Sequence, residues 1–456
     1  MATVRQLDKR NFVLGVINGA LFQLSSTFVD SGIVLAPLVL MLMGPSTLWQ
    51  GLMVSAMGVG WAWPQALMGN FYDRRARRMP YYWWSSAARL ACSAAACAVV
   101  ARLSGAASTR IYYLLATIFF VYATNGSVGT IPFYSIVSDS MPPDRRGLFF
   151  GLRWLLGGLL AFAASFLIKG VLSPDSGLPF PRNYAVLFGI NFGVLCLSTL
   201  AFSVSREPEH SVVNHRVGVW PQLRRSHRLL KRNRNYRLLM ISRALGMVSG
   251  GLCAPFLVHY ARREFGLPDE VVGLYVATVA LSGALSNLLW SRLGDRAGNR
   301  RVLVIANALA LLVPLLALAA SVCPQTILGA TGPTVLGMRL TWPLTLMALV
   351  FLPLGFSSSG SALGQTNYLL DIAPEGRRGT YLGASSGVTL PLAAMPVVGS
   401  LVIGSERFVL GFTLAAGLGL AALVATFILE EPRVTPYPQP DRAAVGVCGS
   451  VHTGAD

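Results

Sequence analysis

Charge is what this sequence has least of. Only 12% of its 456 residues are Asp, Glu, Lys or Arg, about half the share found in an ordinary soluble domain. That deficit excludes a water-solvated surface for most of the chain. Acidic residues are scarcest, 19 against 37 basic ones, with five histidines and six cysteines. Cys92, Cys97, Cys196 and Cys253 fall inside apolar runs, Cys323 near the end of one, and Cys448 in a polar tail. No CxxC or Cys/His cluster occurs, so neither a disulfide framework nor a metal site is expected. The sequence also lacks HExxH, GxSxG and any His/Asp cluster within an apolar run, which argues against an enzyme. No cofactor and no catalytic residue is expected.

What is there instead is apolar. Hydrophobic residues make up 54% of the chain and the mean hydropathy is +0.56. A helix that crosses a bilayer needs roughly 20 mostly apolar residues, and such runs recur throughout. They predict spans at 12–42, 47–68, 80–101, 111–138, 147–172 and 184–204, then at 237–260, 271–292, 301–320, 340–370, 380–403 and 406–429. Residues 206–236 form a polar, arginine-rich stretch between the two sets. Residues 431–456 are Pro-rich and polar, which reads as a disordered tail. The organisation expected is therefore a six-helix unit (1–205), a basic loop (206–236), a second six-helix unit (237–430) and a tail. The polar opening, Met1 to Asn11, has no small-residue cleavage site, so the first apolar run is read as a retained helix.

The formal charge of +18 would suggest nucleic acid in a soluble protein. Here the cations lie in alternate short loops: Arg74, Arg75, Arg77 and Arg78; Arg145 and Arg146; the central stretch; Arg296, Arg300 and Arg301; Arg377 and Arg378. Cytoplasmic loops of membrane proteins carry this excess, so both termini are expected in the cytoplasm and nucleic-acid binding is not.

An internal repeat organises these features. Gly51-Leu52 precedes Asp73-Arg74 by 22 residues, and Gly273-Leu274 precedes Asp295-Arg296 by the same 22. Asp139-Ser-Met-Pro142-Pro-Asp-Arg145-Arg146-Gly147 is matched by Asp371-Ile-Ala-Pro374-Glu-Gly-Arg377-Arg378-Gly379. The offsets, 222 and 232, imply a short insertion around Pro324–Gly337. Both copies lie on the arginine-rich side, so the repeat is parallel.

The loop Gly69-Asn-Phe-Tyr-Asp73-Arg74-Arg75-Ala-Arg77-Arg78 resembles the signature G-x-L-x-D-R-x-G-R-R/K of the major facilitator superfamily, with Ala76 in place of the second glycine. Its counterpart, Leu293-Gly-Asp295-Arg296-Ala-Gly298-Asn-Arg300-Arg301, has Ser291 where the first glycine belongs. The resemblance covers nearly the whole chain and implies an all-α membrane protein of twelve helices in two parallel-repeat bundles. No subfamily is identified, and the Gly-Pro motif of drug antiporters is absent from span five. A helix-end carboxylate can pair with a neighbouring helix terminus or an arginine. Asp73, Arg74 and Arg78, with Asp295, Arg296 and Arg300, are therefore read as gating latches, and Asp139/Arg146 and Asp371/Arg378 as weaker candidates. The bland alternative is a set of solvated loops that only fix topology.

Ionisable groups within spans are costly and become functional candidates by default. Asp30 is the one carboxylate well inside an apolar run. Three readings stay open for it: proton coupling or solute contact, a structural ion pair with Arg89, or a place at the headgroup level. Arg89, about 15 Å into span three, is read as a structural intramembrane pair. In the superfamily resembled, spans one, four, seven and ten line a central cavity. That implies contacts from Gln23, Tyr122, Asn125, Arg243, Gln365 and Asn367, although small polar residues also serve close helix approach. Together these readings predict a secondary transporter of a small solute, possible proton coupling, membrane lipid as solvent and a monomer in a plasma membrane. An uncoupled facilitator or a transport-fold sensor is the alternative.

Overall fold

The computed structural model describes residues 9–44, 46–68, 77–102, 109–140, 143–207, 230–231, 233–267, 271–322, 331–335, 338–373, 378–404 and 407–432. Residues 431–456 beyond Pro432, most of the central basic stretch, and Asp73 and Arg74 lie outside them. Twelve helical segments, numbered here as spans, run through the described residues. The first six are Lys9–Met43 (with a break), Thr47–Met68, Met79–Ala101, Thr109–Ser140, Pro143–Leu172 and Arg182–Ser203. The second six are Arg234–Phe265, Val271–Ala297, Asn299–Ser321, Trp342–Ile372, Arg378–Ile403 and Phe408–Phe427, the first and fifth of them broken. Ten of the twelve are long and apolar enough to cross a membrane on length and composition alone; spans 1 and 2 occupy the places that spans 7 and 8 occupy in the other bundle.

The breaks have local causes. In span 1 the helix stops at Thr27 and restarts at Leu35. Ser25, Ser26 and Thr27 turn their hydroxyls back onto the carbonyls of Phe22 and Gln23, which weakens the last turn. Asp30 holds the turn between the two halves, its Oδ1 accepting the backbone N–H groups of Gly32 (3.0 Å) and Ile33 (2.8 Å). Span 7 breaks at a 3-10 turn over Ala254–Phe256, where Pro255 has no N–H to give. Span 11 breaks likewise over Pro391–Ala394. An all-helical chain was expected; the exception is a short antiparallel hairpin, Thr331–Val335 with Met338–Thr341, in the loop where the offset of the repeat had placed an insertion.

Within each bundle the first and last spans are laced by buried polar groups. In the first bundle Asn11 exchanges hydrogen bonds with the backbone of Arg206 (2.7 and 2.9 Å). Asn18 and Ser198 pair reciprocally, and Asn191 donates to the carbonyl of Ser25 at 2.8 Å. In the second bundle Asn235 accepts from Glu430 N–H, Ser242 donates to the carbonyl of Ala422, and Ser249 to that of Ala415. Each member of the second set stands 224 residues after its counterpart (235 − 11, 242 − 18, 249 − 25; 430 − 206, 422 − 198, 415 − 191). The rungs are seven residues apart along the helix, so all three share one face. Polar groups in lipid need internal partners, and this ladder supplies them twice.

Apolar packing distinguishes the two ends of the molecule. At the end away from the arginines one continuous core runs through both bundles, from Phe28, Val34, Leu38 and Tyr112 across to Leu252, Phe256, Tyr260 and Phe412. At the arginine-rich end the core is split. Val16, Tyr82, Phe133, Phe149 and Phe202 form a cluster in the first bundle, and Tyr236, Leu303, Tyr368 and Tyr381 form a separate one in the second.

Candidate functional site

The seam between the bundles starts at the far end and is built from span 2 against spans 7 and 11. Thr47 donates to the carbonyls of Ser400 and Gly404, and Gln50 to that of Pro255. Ser55 donates to the carbonyl of Ala394 and accepts from Val397 N–H. These hydrogen bonds join the two bundles and lie toward the far end. Gly51 sits in the middle of the seam. A Cβ there would stand 2.5 Å from the Pro396 carbonyl oxygen and 2.7 Å from the Ser400 side chain, so no other residue lets the backbones approach this closely. Spans 5 and 8 form the second seam through Gly158 against Ala280 and Ala284.

Asp30 lies beside this closure. The segment Leu35–Met43 continues span 1 for nine more residues beyond it, about 13 Å of helix. The Asp30 side chain is exposed. Gly32, bonded to Asp30, comes within 4 Å of Pro255, at the break of span 7. Oδ1 is occupied by the two backbone N–H groups. Oδ2 has no hydrogen-bond partner among the described residues. No arginine pairs with this carboxylate there, so the Asp30–Arg89 ion pair does not form.

Arg89 itself corrects the expectation of a structural pair. It is 6% exposed and has no carboxylate partner among the described residues. Its guanidinium carbon lies 4.3 Å from the ring centre of Tyr122 and 4.5 Å from that of Phe22. Tyr122, expected to contact solute, is therefore buried in the bundle as the lower face of this stack, and also receives a 3.4 Å hydrogen bond from Asn191.

The other expected contact residues are spread along the same space. Gln23 is half-buried against Gly157 of span 5. Asn125 is half-buried and spends its amide N–H on the Val121 carbonyl. Gln365 and Asn367 are half-buried on span 10 with no hydrogen bond among the described residues. Arg243 is half-buried beside Tyr236. Its counterpart at offset 224 is Gly19, and there the space is filled by Arg153 from span 5, which donates to Asn18 and to the Gly15 carbonyl. At this offset the arginine belongs to span 7 in one bundle and to span 5 in the other.

At the arginine-rich end the latch residues brace each bundle internally. The backbone N–H groups of Arg78 and Met79, at the start of span 3, are bound by the carboxylate of Glu207. The backbone N–H of Arg300, at the start of span 9, is bound by Glu431 at 3.1 Å. Glu207 and Glu431 are 224 residues apart, each just past the last span of its bundle, and each meets the positive end of a helix dipole. The Arg300 side chain adds a bond to the Phe427 carbonyl (2.7 Å), and Asp371 accepts from Asn299 (2.6 Å). Asp295 and Arg296 are exposed at this end. The side chains of Asp139, Arg146 and Arg378 lie outside the described residues. Sequence reasoning missed the two glutamates; the signal available was a Glu-Pro pair following the last span of each half. Replacing both (Glu207→Gln with Glu431→Gln) should cost about 0.3–1 kcal/mol per site. Thermal unfolding in detergent reads this as a lowered midpoint, and an unchanged midpoint would contradict the brace.

Comparisons with known proteins agree with this architecture. The family model described as Major Facilitator Superfamily matches residues 239–450. The Ectoine/proline transporter ProP of Corynebacterium glutamicum is 30% identical over 189 residues, which is 37% of this chain and 34% of that one; the chain thus matches about a third of that relative's length. A bacterial homologue of the iron transporter ferroportin, in its inward-facing state, superposes with a TM-score of 0.64 at 16% identity, over 92% of this chain and 99% of that one. The same homologue in its outward-facing state gives 0.55 at 17% identity, over 91% and 98%. A D-xylose-proton symporter gives 0.68 at 12% identity, over 93% and 99%.

Proposed function

We propose that the chain is a member of the major facilitator superfamily and carries a small solute across a plasma membrane by alternating access, with proton uptake at Asp30 as the coupled step. One observation carries the reading: a single apolar core joins the bundles at the far end and divides in two at the arginine-rich end. Two bundles held at one end and parted at the other enclose a space open to one side. The positive-inside rule assigns the arginine-rich end to the cytoplasm, which makes this the inward-facing state. The better superposition on the inward-facing form of the ferroportin homologue supports the same assignment.

Transport then consists of breaking the far seam and closing the cytoplasmic end. The two bundles rock as bodies kept rigid by the polar ladders and the helix-end braces. Asp295 and Arg296, exposed at the arginine-rich end, are the latch candidates for that closure, with Asp73 and Arg74 as their counterparts in the sequence repeat. Asp30, with one oxygen held by backbone and the other free, can take up a proton on one side and release it on the other without losing its position. Gln23, Asn125, Arg243, Gln365 and Asn367 supply polar contacts for the solute. The relative described as an ectoine/proline transporter makes small zwitterions the first solutes to try.

The test uses purified chain in liposomes that hold a pH-sensitive dye, with solutes added outside one at a time. Solute-dependent acidification of the lumen, absent from protein-free liposomes, is expected. Solute flux without proton movement would leave a facilitator. Binding of a solute with no flux of it would overturn transport in favour of a sensor.

A further inference from the structure

Arg89 poses a problem that the transport cycle above does not solve. A guanidinium is charged at any physiological pH, and a buried unpaired charge is costly enough that such groups are almost always paired. Here the Arg89 Nε is fully buried with no hydrogen-bond partner, and no hydrogen bond or ion pair satisfies the rest of the group among the described residues. Stacking on Phe22 and Tyr122 recovers part of the cost, but it covers the flat faces and leaves the N–H edge unused.

The surroundings place the group next to the space between the bundles. Gly126 of span 4 is where the side chain passes: a Cβ there would meet the Arg89 guanidinium carbon and Nε at 3.2 Å and the Trp61 ring at 2.9 Å. Any larger residue would displace the arginine from the stack. Trp61 lies three residues beyond Gly58 on span 2, hence on the same helix face. Gly58 packs against Ala393 of the opposite bundle, so Trp61 faces the space between bundles just below the far seam. Phe22 is 6.5 Å from Trp61, and both are half-buried. The guanidinium therefore sits directly behind two aromatic residues that border the solute space.

We propose that Arg89 is an anion-binding group of the solute site, and that the transported solute carries a carboxylate which docks edge-on to this guanidinium. The planar fork of arginine accepts a carboxylate through two parallel N–H···O bonds. The ring faces that clamp it fix its plane before the solute arrives, and the low-dielectric setting strengthens the contact. Phe22 and Trp61 then border the remainder of the solute. This inference rests on the transporter reading for the word solute, but the site can be tested by binding alone.

The experiment measures thermal unfolding of the purified full-length chain against a panel of small carboxylates, L-proline and pyroglutamate among them, each paired with its own amide. A ligand that binds the folded state raises the midpoint with concentration. At least one acid is expected to raise it while its amide does not. Arg89→Gln should weaken that acid by roughly tenfold or more, and Arg89→Lys, which keeps the charge but not the fork, should recover part of the loss. A purely structural arginine would shift the midpoint of Arg89→Gln without ligand and leave acid and amide indistinguishable. Equal effects of acid and amide, no effect of any acid, or an acid effect that survives Arg89→Gln would each overturn the proposal. Flux of the acid into liposomes is scored separately: binding without flux would sink the transporter reading and leave the site standing, whereas flux indifferent to Arg89 would do the reverse.

Discussion

In a Gly51→Leu variant, a cysteine introduced at the far end of the solute space by Gly32→Cys should react with a membrane-impermeant thiol reagent from outside roughly five- to a hundredfold faster than in the Gly51 background. The native cysteines are first replaced in both. At Gly51 the backbones of the two bundles are so close that even a methyl group would overlap the Pro396 carbonyl and the Ser400 side chain. Overpacking of such a contact costs about 1–3 kcal/mol. That cost falls only on the state in which the far seam is shut, so the population shifts toward the state in which it is open. Hydrogen bonds from Thr47 and Gln50 across the same seam would be lost with it. Unchanged labelling would mean that the seam between spans 2 and 11 does not control access.

Asp30→Asn should abolish accumulation of solute against its gradient, with the initial rate falling roughly a hundredfold. That is the lower end of what a positioned proton-transfer group contributes. The substitution is a narrow one. The asparagine carbonyl oxygen can still accept from Gly32 and Ile33 N–H, so the turn in span 1 survives. What disappears is the ionisable oxygen that the proposed coupling requires. Exchange of solute across a membrane without a proton gradient should therefore persist, since it needs the site but no net proton movement. Accumulation that continues in the variant, measured with a pH gradient imposed across the liposome, would remove Asp30 from the coupling role.

The spans were legible because lipid demands long apolar runs, and those runs are visible residue by residue. The boundaries expected at 47–68 and 271–292 fall on helices that begin at Thr47 and Val271. The repeat was legible too, but only at two of its offsets. The third, 224, is carried by Asn11, Asn18 and Ser25 against Asn235, Ser242 and Ser249. It stayed hidden because single polar residues seven apart in apolar runs make no motif: Asn11 matches Asn235 and Ser25 matches Ser249, but Asn18 is replaced by Ser242 between them. The breaks in spans 1, 7 and 11 were not read, although Asp30, Pro255 and Pro391 are each sufficient local causes. The environment of Arg89 could not be read at all. Whether a buried cation meets a carboxylate or an aromatic ring depends on which helix faces are adjacent. The sequence contains Asp30, Phe22 and Tyr122 without saying which of them lies within reach.

Alternating access is most directly tested by two distances measured in one sample. Spin labels at Arg145 and Arg296 report the cytoplasmic ends of the two bundles, and labels at Asp175 and Val322 report the far ends; all four positions are exposed. With a transported solute and an inward proton gradient, the first distance should shorten in a fraction of molecules while the second lengthens in the same fraction. Distances that stay fixed, or that change together in one sense, would contradict a rocking two-bundle transporter.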